Sequence, residues 1–78
     1  MLKSRFISEQ EAYQVNQLVH EIVARWYQDD QGLTPKNQLY PRVYGTLYHR
    51  FQITSYKNLR PDQLDEALRW LANWRDSF

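Results

Sequence analysis

A chain of 78 residues, 42% hydrophobic and 15% aromatic, with no cysteine and a net charge of +1, has room for one domain and one small core. The missing cysteine excludes a disulfide framework, thiolate chemistry and a cysteine-based metal site. The overall charge by itself points to no partner, and no segment is apolar for long enough to span a bilayer.

The opening "MLKSRFISEQ" holds no apolar run of signal-peptide length, so the chain is expected to be cytoplasmic, with residues 1–7 as a short tail. Ser8 and Glu11 have the spacing of a capping box, in which hydroxyl and carboxylate satisfy free N–H groups at a helix start. Ala12, Val15, Leu18, Val19, Ile22, Val23 and Trp26 then recur at helical spacing, which predicts a long helix over 8–28. "DDQGLTPKN" is a loop by its Asp, Gly and Pro content.

A second helix is predicted over 35–51, with its start open between two positions. Thr34-Pro35 supplies a cap and a first-turn proline, which places Pro41 inside the helix; alternatively Pro41 itself stands in the first turn. Either start leaves Leu39, Tyr40, Val43, Tyr44, Leu47, Tyr48 and Phe51 on one stripe. Gly45 weakens that helix, and close approach of another backbone, such as the first helix, is the expected compensation. "FQITSY" alternates in the manner of a short extended crossing with Ile53 turned inward.

Pro61 opens a third helix, expected over 61–76, and Asp62, Asp65 and Glu66 suit its positive end. Leu64, Ala67, Leu68, Leu71, Trp74 and Phe78 form its expected buried face, centred on Leu68 and widened by Trp70. The predicted fold is all-α: three helices, with a short extended crossing between the second and third.

Charge is unevenly spread. Between Asp30 and Asp62 there is no acid, while Lys36, Arg42, Arg50, Lys57 and Arg60 all fall there, with His49 beside them. Such a basic stretch can steer polyanions. The two histidines, His20 and His49, sit on different predicted helices, and no metal-binding, phosphate-loop or nucleophile motif is present. The chain is therefore expected to be no enzyme and to carry no cofactor or metal.

Residues 40–74, "YPRVYGTLYHRFQITSYKNLRPDQLDEALRWLANW", carry a recognisable combination. An aromatic-rich helix ends in Arg50 and Phe51; Ile53 follows, then Ser55-Tyr56-Lys57, then a helix opening near Asp65-Glu66-Ala67-Leu68. This pattern resembles the small C-terminal domain of phage and prophage antirepressor-like proteins, and Ser8 to Trp26 matches its upstream helix more loosely. In that family the domain follows a separate N-terminal module. This sequence holds only the small domain, as a free-standing relative or as an excised piece. The resemblance implies nucleic-acid binding or assembly, and it brings no catalytic residues with it.

Two functions remain open at this point. The first is a phage-derived nucleic-acid-binding accessory module, touching DNA or another polyanion through Arg42, His49, Arg50, Tyr56, Lys57 and Arg60. The second is a protein-interaction module, an adaptor, inhibitor or homodimer that meets a host or phage protein through Trp26, Trp70 and Trp74. For Ser55 and Tyr56 the competing structural role is to close the turn and fold onto the helix ends. Asp65 and Glu66 are expected to serve the helix end, with Arg50 or Lys57 as partners across the crossing.

Overall fold

The computed structural model describes residues 5–74. Ser8 caps the first helix, α1 (Glu9–Asp29), as its spacing demands. The Ser8 hydroxyl accepts from the Glu11 N–H at 3.2 Å, and the Glu11 carboxylate accepts from the Ser8 N–H at 2.8 Å. After α1 the chain turns through left-handed backbone at Gln31 (φ 58°) and Gly32 (φ 75°). The Asp30 carboxylate holds this turn, accepting from the N–H groups of Gly32 and Thr34 at 3.1 and 3.2 Å.

The second helix, α2 (Lys36–Phe51), takes the earlier of the two starts, with Pro35 at its N-cap and Pro41 inside it. Pro41 has no N–H to give, which leaves the Asn37 carbonyl without its usual helical donor. Both residues are exposed, so water can serve that carbonyl. Gln52 ends the helix in left-handed backbone (φ 56°), and the Ile53 N–H returns to the Tyr48 carbonyl at 3.0 Å. That reversal breaks the alternation read from "FQITSY". The crossing is extended at Ser55, Leu59 and Arg60, but a single 3-10 turn, Tyr56–Asn58, lies between them.

The third helix, α3 (Pro61–Ala72), stops short of the expected 76. Phe78, expected on its buried face, lies outside the described residues. The centre of that face is also displaced: Ala67 and Leu71 are buried, whereas Leu64 and Leu68 are half-buried. The domain is all-α, with three α-helices and no strand among the described residues.

α1 is the spine on which both other helices pack. α2 runs antiparallel to it: Tyr40 meets His20, and Tyr44, one turn later, meets Asn16, one turn earlier. α3 packs on α1 and touches α2 through side chains, where Glu66 near its start pairs with Arg50 at the end of α2 and Trp70 meets Phe51. The core joins Val15, Val19, Ile22 and Val23 of α1 to Leu39, Val43 and Leu47 of α2, with Ala67 and Leu71 of α3. Leu59 of the crossing is fully enclosed, and its carbonyl accepts from the Ile7 N–H at 2.9 Å. Ile7, placed in the tail by sequence, is itself buried. The crossing thus contributes to the core through Leu59 and also ties down the segment leading into α1.

Candidate functional site

α2 presents two different flanks beside its buried stripe, because residues four apart stack along a helix. On one flank Tyr40, Tyr44 and Tyr48 form a ladder facing α1 and the crossing. The Tyr40 hydroxyl pairs with His20 Nδ1, and the two rings meet edge to face at 5.0 Å. The Tyr44 hydroxyl donates to Asn16 Oδ1, and its ring stacks on Tyr48 at 5.8 Å and on Tyr56 at 5.4 Å. Burial pushes the Tyr44 phenol up to about 12, with the neighbouring Tyr56, Tyr48 and Tyr40 phenols adding to the rise. Burial raises Tyr48 as well.

The other flank carries Arg42, Gly45, Thr46 and His49, all exposed. With Pro41, Trp26 and Trp74 they line an open groove of about 650 Å³. The Arg42 guanidinium lies 6.0 Å from the centre of the Trp26 ring. Gly45 departs from expectation. Among the described residues a Cβ built on it meets nothing within 4 Å, so no second backbone there approaches it. The sequence marked this glycine as anomalous but assigned it to helix packing; it instead forms part of the groove wall.

The basic stretch is less basic in space than along the chain. Arg50 pairs with Glu66 at 3.1 Å and lies over the Phe51 ring at 5.5 Å. Arg60 pairs with Asp62 at 3.3 Å, and Lys36 sits over the Tyr27 ring at 5.1 Å. The first turns of α3 therefore bring acids back onto an interval that has none of its own. Asp65 pairs within its helix, with Arg69 at 2.9 Å. Arg42 and Lys57 remain exposed, with no ion pair to an acid among the described residues.

The six predicted nucleic-acid contacts do not form one patch. Arg42 and His49 share the groove, and Lys57 and Arg60 belong to the crossing. Arg50 leans on α3, and half-buried Tyr56 is stacked on the tyrosine ladder. The Ser55 hydroxyl accepts from the Lys57 N–H at 3.3 Å, closing the turn. The three predicted protein-contact tryptophans also divide. Trp26 is buried in the core, while Trp70 and Trp74 are half-buried and meet edge to face at 5.1 Å, with Trp70 against Phe51 at 6.2 Å. The groove thus joins residues from both candidate sets, Arg42 and His49 with Trp26 and Trp74.

No group of three or more His, Cys, Asp or Glu side chains among the described residues is placed to hold a metal ion. No helix there is long and apolar enough to cross a membrane. No curated protein and no solved structure matches the chain. The ORF6C domain, which occurs in phage and prophage proteins, matches residues 1–78, the whole of this sequence, and the chain belongs to that family.

Proposed function

We propose that this ORF6C domain is a non-enzymatic, antirepressor-like accessory module of phage or prophage origin that acts in the cytoplasm and binds nucleic acid through its phosphates. The observation that carries this reading is the outer flank of α2. Arg42 and His49 are exposed there, the Thr46 hydroxyl between them donates to the Arg42 carbonyl at 2.8 Å, and α2 has no acidic residue anywhere between Lys36 and Phe51. A helix face with hydrogen-bond donors and no acid presents no repulsion to a polyanion. Lys57 adds a second exposed cation on the crossing. Arg50 and Arg60 contribute less, since each already faces a carboxylate, although exposed pairs of this kind exchange partners cheaply.

The second reading is a protein-interaction module, and the half-buried Trp70 and Trp74 favour it. Trp26 no longer supports that reading, because it is only 8% exposed and its loss would disturb the core.

Titration of labelled single- and double-stranded DNA at about 50 and 200 mM salt tests the first reading, since phosphate contacts weaken steeply over that range. An Arg42→Ala, Lys57→Ala double variant should keep its helicity, bind more weakly and show a salt slope shallower by roughly one unit per lost contact. Absence of any DNA retention at about 50 mM salt would overturn the proposal. A change in solution mass or partner capture in Trp70→Ala, with DNA binding intact in the double variant, would favour the second reading.

A further inference from the structure

We propose that the groove over Gly45 seats a single-stranded segment of nucleic acid. Its backbone crosses α2 at Gly45, its phosphates meet Arg42 and His49, and an unstacked base rests against Trp74. This deepens the reading above and rests on it.

The first support is the glycine itself. Gly45 stands in the interior of a helix, where glycine weakens the structure relative to alanine. The described residues give no return for that cost: the backbone there is not left-handed, and none of them comes within 4 Å of where a Cβ would stand. A glycine without an internal neighbour leaves room for a close approach from outside. The second support is the composition of the groove. Its volume of about 650 Å³ falls in the range of small-ligand sites, and one wall is aromatic. Trp74 is held edge-on by Trp70, which fixes its ring without burying it fully.

The third support is charge. Among the described lining residues none is acidic, and Arg42 and His49 stand one on each side of Gly45. A second copy of this chain is a poorer occupant. A two-fold contact centred on Gly45 would set the Arg42 and His49 donors of the two copies against one another, with no acid on α2 to receive them. Double-stranded DNA also suits the groove less well than a single strand. Its bases stay stacked and paired, so the aromatic wall would gain nothing, whereas an unstacked base gains a stacking surface.

The test uses the full chain with labelled oligothymidine, a duplex of equal length and inorganic polyphosphate as probes. Oligothymidine should bind about tenfold more tightly than duplex, as expected for one or two stacked bases, and should quench tryptophan fluorescence. Gly45→Gln projects into open space, so it should keep its helicity while losing about tenfold in oligothymidine affinity. Gly45→Ala should raise the denaturant midpoint, which confirms that the position is helical and unstrained. Duplex binding as tight as oligothymidine, with Gly45→Gln neutral, would sink the inference and leave phosphate binding standing. Equal binding of polyphosphate would reduce the groove to a charge site and also overturn it. A shift in solution mass on Gly45→Gln would assign the groove to a second copy. Failure to retain any probe at about 50 mM salt would instead overturn the underlying proposal of nucleic-acid binding.

Discussion

The tyrosine flank and the groove flank of α2 share one helix and one run of sequence, yet they are built in opposite ways. Tyr40 and Tyr44 spend their hydroxyls inside the molecule, on His20 and Asn16, and the Tyr44 ring stacks on Tyr48 and Tyr56. Arg42, Gly45, Thr46 and His49 lie exposed around an open groove. Hydrogen bonds and ring contacts that close within the fold stabilise it. A glycine that fills nothing and a cation that meets no acid contribute little to stability. The difference separates a flank that holds the fold together from one whose chemistry is directed outward.

The largest effect should fall between the flanks. Leu47 is fully buried, and Leu47→Ala should cost about 3 kcal/mol in urea unfolding, mostly from lost burial and the cavity left behind. A loss below about 0.5 kcal/mol would mean that the stripe dividing the flanks is not core.

Tyr44→Phe should cost about 1 kcal/mol by removing the hydrogen bond to Asn16. It also tests the pH dependence of the tyrosine flank. The folded state holds the Tyr44 proton more tightly than the unfolded chain does, with the phenol raised from 10.0 to about 12. Its contribution is therefore fully present below pH 10 and is lost as the pH rises toward 12. Unfolding midpoints measured across that range should fall more steeply for the native chain than for Tyr44→Phe. Parallel curves would show that the phenol is not shielded.

Gly45→Ala should move stability the other way, a gain of about 0.5–1 kcal/mol by denaturant midpoint, because the methyl group enters open space on a helix. A loss would mean that something inside the fold uses the glycine, and the two flanks would no longer differ in kind.

Glu66→Gln should be the smallest change, within about 0.5 kcal/mol, since the Arg50 and Glu66 side chains are 51% and 60% exposed. A cost above about 1.5 kcal/mol would make this pair a structural clasp between α2 and α3 rather than a surface contact.

Helix identity was legible in the sequence because it depends on local patterns. The Ser8–Glu11 capping box, the valine-rich stripe of α1 and the proline opening α3 each act within a few residues, and each forms as expected. The second start of α2 stayed open because Pro35 and Pro41 both fit a first helical turn locally. Leu59 and Ile7 were missed for a different reason. Each is a lone apolar residue outside any periodic run, and only the packing of the crossing against α1 encloses them.

The site was less legible than the helices. Chain order correctly marked Arg42 and His49 as off the core stripe, since a residue's place on a helix follows from its spacing. It offered Arg50 or Lys57 as a partner for Asp65 or Glu66, and of these pairs the structure forms Arg50–Glu66, while Asp65 turns to Arg69. It could not reveal that Trp74 and Trp26, 48 positions apart, would line one groove with Gly45, because the packing of α2 and α3 on α1 sets that distance. By itself the sequence determined the three amphipathic helices, the capping box of α1, the proline opening α3 and the absence of acid from α2, all properties of residues close together along the chain; the Thr34 cap expected for α2 does not form, since Pro35 takes the N-cap. Tertiary structure alone decided which cations met carboxylates, which tryptophan was buried and whether Gly45 faced a neighbour or open space, because these depend on distances between elements that no local pattern encodes.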